Sequence, residues 1–585
     1  MGAPAAPPDE DEDTAPADGT PDDEVAGEPD ETPGEPADED DPPARRRRLS
    51  GLRSPFPDRV FLILTWLVVA AGIGLRLRQW WYGRAFWLDE LLLIKAMSEQ
   101  RITEVLRPLG LDQSAPPGWL LVEHALIAHA PGERGARLLP LVFGVGSLVV
   151  TALLARVLLG SLGALAATAL AALSTQLITY SAELKQYSAD AFWMQLVLLL
   201  GARLALRRGH PARDRYVLAA VAAVAVWFSH AAAIATGGVF LALALQALAT
   251  RRRRELAVLV GCAVPFAAGL GVEYETLLKA NTANPVLKTF WASTFPPEGP
   301  LTWSIGWDWF TERTRSVVLN PLYWDYRVAL LALILGGLVV IGIRTRWGLA
   351  VFLLPVAAVV AAGLVGAYPI ANRLALWVIP LAGIAVAAPL DLIQLAARIP
   401  RPRVERWAGV AVAAVLVVLA GGQLVTMSRD AVDSDRAFLV HPREQEESRT
   451  ALAAVAHQLQ PGDLVLVDWG GTRFAAQYYA PKVGISSYRL LRANRVNSQC
   501  PPVWFGSTLR HARSIKRVWL VYVHTGARLE VMYEDHLSQF GPVAERIPVT
   551  GGGALRFDRS ASTPAPPEAR IQRCLTLEAP GDSTT

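Results

Sequence analysis

Charge and cysteine are what this 585-residue chain has least of. Charged residues make up 19% and hydrophobic residues 52%, and the apolar residues fall in long runs. That excludes an ordinary soluble domain and a nucleic-acid binder, and places the chain among polytopic membrane proteins. Only three cysteines occur: Cys262 inside an apolar run, and Cys500 and Cys574 near the C-terminus. Their spacing carries no zinc signature; in an oxidising compartment the last two could pair. A run of acids or broken helices at membrane midplane, as carriers often need, is also lacking. The net charge of +3 says little, because the charges are segregated along the chain.

Residues 1–55 are rich in Asp, Glu, Pro and Ala, which predicts a disordered tail. The tail ends in Arg45, Arg46, Arg47, Arg48 and Arg53. A basic cluster before the apolar run at 60–75 holds the N-terminus in the cytoplasm. Some fifty polar residues precede that run, which argues against a cleaved signal peptide. Further basic clusters stand at 203–215, 251–254, 344–346 and 398–406. Apolar segments at about 137–159, 161–179, 191–205, 216–229, 231–249, 255–272, 328–343, 347–367, 374–397 and 407–425 separate them. With the first run these predict about eleven transmembrane helices, each near the ~20 residues needed to cross. Alternate threading puts every basic cluster inside. The outward segments are then 77–136, 180–190, the turn at Ser229-His230, 273–327, 368–373 and the tail from 426. The tail, 426–585, reads as a small extracytoplasmic α/β domain with a flexible end: a helix near 446–459, then strands at 464–467 and 518–523.

The chemistry gathers on the outward segments. Phe86-Trp87-Leu88-Asp89-Glu90 sets two adjacent carboxylates beside a membrane surface, where acids are costly and tend to mark function; the bland alternative is a helix cap. Ala115-Pro116-Pro117 makes a rigid turn before an amphipathic-looking stretch, Trp119 to His129, which could lie on the surface with Glu123 and His124 solvated. Lys185, in a chain where lysine is rare, stands on the side where positive charge is not expected. A point charge there suits a phosphate, against the plainer reading of a snorkelling helix-end lysine. Arg373 sits in another outward turn, Arg137 opens the second span, and Asp190 could pair with Lys185 or join Asp89. Trp291, Trp303, Trp307, Trp309 and Trp324 read chiefly as an interfacial belt. A divalent metal is left open where Asp89, Glu90, Asp190 and His230 approach, though their spacing carries no ligand signature.

Leu88-Asp89-Glu90, Ala115-Pro116-Pro117, Arg137-Leu138-Leu139-Pro140, Glu183 to Asp190 and Tyr368 to Pro380 together resemble the GT-C glycosyltransferases. The branch they resemble is that of the protein O-mannosyltransferases and the aminoarabinose transferase of lipid A. The resemblance covers residues 60–425. It implies an α-helical polytopic enzyme that transfers a sugar from a polyprenyl-phosphate donor to a glycan, lipid or protein acceptor at the outer face. It also implies an acidic general base in the first outer loop, which falls on Asp89 with Glu90 as its rival, and a further acid at Asp190. Lys185, Arg373 and Arg137 are the expected phosphate-binding cations. Tyr187, His230 and Tyr368 are the expected substrate contacts. A non-catalytic transporter or flippase of lipid-linked glycans is the alternative.

Overall fold

The computed structural model describes residues 58–208, 211–322 and 327–392, scattered positions between 411 and 425, and 442–559 with breaks at 468–470, 487–489, 493–514, 525–526 and 539. The N-terminal tail and its arginines, the 398–406 cluster, most of the span expected at 407–425, Trp324, Cys500 and Cys574 lie outside the described residues.

Helices dominate the first part. They are α1 (Asp58–Tyr82), α2 (Leu88–Glu99), α3 (Pro117–His129), α4 (Leu138–Leu158), α5 (Ser161–Leu173), α6 (Tyr187–Ala205), α7 (Pro211–Ala225), α8 (His230–Ala249), α9 (Arg253–Glu273), α10 (Trp303–Val317), α11 (Arg327–Arg344), α12 (Arg346–Leu364) and α13 (Val378–Ala387). Among the described residues, α1, α4, α8, α9 and α12 are long and apolar enough to cross a membrane; α5, α11 and α13 are apolar but shorter. The eleven spans expected are therefore not all met as single long helices. The segment at 161–179, for one, breaks at Ser174, whose Oγ accepts from the Leu177 N–H and starts a separate helix, Thr175–Tyr180. Ser caps helices because its hydroxyl satisfies an amide that the first turn leaves open.

α1 illustrates packing where the solvent is lipid. Its buried stripe is Thr65, Val69, Gly72, Arg76 and Gln79, spaced by three and four as one helical face requires, and it is small and polar. Ile63, Leu67 and Trp81 face outward. Lipid gives apolar side chains no reason to turn inward, so close approach and hydrogen bonding select the interface. A Cβ on Gly72 would fall 2.7 Å from Leu148 and 2.9 Å from Ala172. Arg76 donates to the carbonyls of Gly72, Ala171 and Ala172, satisfying the open C-terminal end of α5.

The connections α5–α6, α7–α8 and α12–α13 lie at one end of the bundle with the first loop. At the opposite end, Arg207, Arg215 and Arg252 from two separate basic clusters share one small cleft with Glu255. Two of the basic clusters thus meet at the end away from the first loop. α3 departs from the surface helix expected. Trp119, Leu120 and Glu123 are buried, and Gly118 donates to the Trp227 carbonyl at 2.8 Å. Glu123 is therefore an inward residue, not a solvated one.

The C-terminal part is a mixed sheet with helices. It comprises α14 (Ser448–Gln458), β1 (Leu464–Val467), α15 (Gly471–Tyr479), β2 (Leu490–Arg492), β3 (Arg517–Val523), α16 (Ala527–Leu537), β4 (Val543–Val549) and β5 (Gly552–Asp558), in the strand order β2-β1-β3-β5-β4. β1 runs parallel to β2 and β3, whereas β5 pairs antiparallel with β3 and β4. Side chains alternate across a strand, and β3 divides on that rule. Val518, Leu520 and Tyr522 pack with Tyr533, Leu537 and Phe557. Trp519, Val521 and Val523 join a second core that is continuous with Ala85, Phe86, Leu91 and Leu93 of the first loop.

Candidate active site

The first loop turns into α2 at Leu88, which sets Leu88, Asp89 and Glu90 in the first helical turn, where acids are favoured by the open N–H groups. The two carboxylates then diverge, since adjacent helical residues point about 100° apart. Glu90 turns inward. It is fully buried, and Arg137 grips it with two bonds, Nε to Oε1 at 2.8 Å and Nη2 to Oε2 at 2.6 Å. The Leu184 N–H donates to Oε1 at 2.7 Å, the Trp87 N–H to Oε2 at 3.3 Å, and Arg84 lies 3.4 Å away. Burial alone would raise its pKa, but Arg137 and Arg84 outweigh it and hold the carboxyl below its usual range. Arg137 is 1% exposed, spends its remaining donors on the Arg84 and Ala85 carbonyls, and lies over the Phe86 ring. Both residues are buried and pair with each other, so the acid and the cation expected to meet a substrate instead face inward.

Asp89 faces the other way. Its carboxylate ion-pairs with Arg373, and both side chains keep about a fifth of their surface open. Arg373 also lies over the rings of Trp87, at 5.3 Å, and Tyr187, at 5.8 Å, where the electron-rich faces favour a cation. Arg373 and Trp87 line a cavity of about 310 Å³ whose other walls include Arg84, Gln176, Tyr180 and Glu183 from the bundle and Arg443 to Gln445 from the C-terminal part. Arg84 is 2% exposed, and neither of its terminal nitrogens has a hydrogen-bond partner; Glu90 and Glu183 stand 3.4 and 3.5 Å off. The guanidinium is thus closed from solvent and held between two carboxylates at longer than hydrogen-bonding range.

Lys185 stands beside this group. Its Nζ donates to Gln113 Oε1 at 2.8 Å. Burial draws its ammonium down to about 8, against the pull of Asp89. Burial pushes Glu183 up to about 7, against the opposing pull of Arg84. The 181–186 segment reaches this position because α4 has Gly144 opposite it. A Cβ there would fall 2.4 Å from the Ser181 Cβ.

Asp190 joins neither Lys185 nor Asp89. It accepts from Ser229 Oγ at 2.6 Å and lies near His230, whose Nε2 contacts Glu273 Oε1 at 3.0 Å. These residues form a second polar group, carried by the starts of α6 and α8 and the end of α9. Tyr368 is buried and donates to the Leu374 carbonyl at 2.9 Å. Among the described residues no three His, Cys, Asp or Glu side chains converge as ligands. Asp89 and Glu90 already face guanidiniums, a donor set that does not fit a metal ion.

Sequence reasoning passed over Arg84, although an arginine in an outward loop carries the same signal that singled out Lys185. It also passed over Glu446, Glu447 and Tyr479 of the C-terminal part, whose carboxylates and hydroxyl reach the 85–88 backbone. No local pattern marks those three.

No family model matches the chain, and no curated protein does. Solved structures do resemble it. One is the archaeal oligosaccharyltransferase AglB from Archaeoglobus fulgidus, in complex with an inhibitory peptide and a dolichol-phosphate, with TM-score 0.44 and 13% identity over 87% of this chain and 75% of that one. Another is ArnT from Cupriavidus metallidurans bound to undecaprenyl phosphate, with TM-score 0.40 and 16% identity over 87% of this chain and 99% of that one.

Proposed function

We propose that this chain is a membrane glycosyltransferase that moves a sugar from a polyprenyl-phosphate donor to an acceptor hydroxyl at the outer face. The observation that carries the reading is the ion pair of Asp89 with Arg373, a cation that lines a cavity together with Arg84 and Glu183.

The chemistry needs few groups. Asp89 takes the proton of the acceptor hydroxyl as its oxygen bonds to the anomeric carbon. The bond from that carbon to the phosphate oxygen breaks, and its electron pair leaves with the lipid phosphate. The leaving group is a stable anion, so no general acid is required. Arg373, Arg84 and Lys185 supply positive charge where negative charge grows, which lowers the barrier. An arriving phosphate competes with Asp89 for Arg373. Transfer of that guanidinium to the donor frees the carboxylate to act as base, so donor binding switches the base on. Trp87 offers a ring face for the sugar. Glu90 and Arg137 anchor the loop from behind. The second group, Asp190 with His230 and Tyr368, is reserved for contacts away from the reacting bond.

Proteoliposomes containing the protein and a labelled polyprenyl-phosphate sugar test this. Release of free polyprenyl phosphate with sugar appearing on an acceptor, lost in Asp89→Asn, supports transfer. Movement of intact donor across the bilayer with no phosphate released supports the transporter instead.

A further inference from the structure

The segment that carries Asp89 is held by a different part of the chain. Ala85, Phe86 and Leu88 each turn a backbone N–H toward the C-terminal sheet domain. The Ala85 N–H donates to Glu447 Oε1 at 3.0 Å, the Phe86 N–H to Tyr479 Oη at 2.8 Å, and the Leu88 N–H to Glu446 Oε2 at 3.1 Å. The three acceptors are themselves fixed. Glu446 Oε1 contacts His524 Nδ1 at 2.5 Å, Glu447 Oε2 accepts from Thr450 at 3.1 Å, and Tyr479 donates to Glu133 at 2.9 Å. Glu446 and Glu447 are 6% and 4% exposed. Arg449 adds bonds to the Gly83 carbonyl and to Glu133, and the Phe86 ring meets Tyr478 edge-on.

The carbonyl side of the same segment is taken by the bundle, where Arg137 binds the oxygens of Arg84 and Ala85. An irregular backbone buried between two bodies must have its polar groups satisfied, and here both bodies supply partners: the sheet domain accepts from the amides of 85, 86 and 88, Glu90 of α2 accepts from Trp87, and Arg137 donates to the carbonyls of 84 and 85. Asp89 follows directly after the last clamped amide. Domain attachment alone would need apolar contact and no such alignment of three acceptors with the amides of residues 85, 86 and 88.

We infer that the C-terminal domain is part of the active site, with Glu446, Glu447 and Tyr479 as positioning residues that set the backbone before Asp89 so that its carboxylate meets Arg373, which lines the cavity. This rests on the reading of Asp89 as the base. It assigns the domain a role in turnover whatever the acceptor.

The experiment compares Glu446→Ala/Glu447→Ala with Glu446→Gln/Glu447→Gln in the full chain. Glutamine keeps a carbonyl oxygen that can accept the amide; alanine does not. Amide exchange over 85–88 is expected to rise by about tenfold for each lost bond in the alanine variant, and to stay near the original rate in the glutamine variant. Turnover should fall by a similar factor in the alanine variant with the donor KM within about twofold, and glutamine should recover most of it, as bonds of this strength imply. If the alanine variant does not accumulate, the single variants and Tyr479→Phe, each removing one bond, carry the same comparison. Unchanged exchange and kcat in folded alanine variants overturn the inference. So does a glutamine variant as slow as the alanine one, because charge and not acceptance would then be what matters. The exchange measurement is independent of the chemistry. Exchange that rises while Asp89→Asn still turns over normally keeps the clamp and removes Asp89 as base.

Discussion

Asp89 and Arg373 form an ion pair across two loops 284 positions apart, while Glu90, the next residue, is locked to Arg137 inside the protein. Two neighbouring carboxylates therefore have opposite fates, and the difference is open to measurement.

Asp89→Asn keeps the shape of the side chain and removes most of its basicity. Loss of a general base costs ~10²–10⁴ in rate, so transfer should fall by that factor with folding preserved and donor binding at least as tight, since Arg373 loses its competing carboxylate. Turnover at the original rate, with expression and donor affinity measured alongside, would defeat the proposed mechanism.

Glu90→Gln should act on stability first. It leaves Arg137 and Arg84 buried without their counter-charge, and breaking a buried pair by removing one partner costs about 3–5 kcal/mol. Thermal unfolding in detergent is expected well below that of the parent, with little folded protein recovered. A variant that is fully stable but inactive would instead return Glu90 to the chemistry.

Donor affinity should fall as pH rises through about 8. Burial places Lys185 there, so its ammonium is present below that pH and lost above it. Glu183, pushed up to about 7 by burial, gains negative charge over the same range. Both changes weaken attraction for a phosphodiester, which stays anionic throughout. The sign for stability is the reverse for the lysine: its depressed pKa costs folding energy while the ammonium is buried, and that cost fades as pH rises from about 8 toward the unfolded value. Lys185→Arg, charged at every working pH, should flatten the Lys185 part of the binding profile. A profile identical in the parent and in Lys185→Ala would remove Lys185 from the donor site.

The expected topology places residues 426–585 outside. Val531 is 57% exposed on α16, so Val531→Cys in a background with Cys500 and Cys574 replaced by serine should react with an impermeant maleimide added to intact cells. Protection until the cells are lysed would reverse the orientation of the whole site.

Hydropathy by itself located most of the apolar helices, because a lipid solvent demands long apolar runs whatever their neighbours. The basic clusters of 203–215 and 251–254 meet at one end of the bundle, as their sequence pattern implies. Strands 464–467 and 518–523 were legible from short apolar runs after turn residues. What sequence left open was direction. It put Asp89 and Glu90 side by side; the turn into α2 sent one to Arg373 and the other to Arg137. Asp190, spaced as if to meet Lys185, bonds to Ser229 because the start of α8 stands beside it. Glu123 reads as solvated from its neighbours in the chain and is buried by the docking of α3 against Trp227. Glu446, Glu447 and Tyr479 lie more than 350 residues from the amides they hold. Local periodicity reports which face of an element is apolar; which element then covers that face, and so which charge finds which partner, is decided only when the chain has folded.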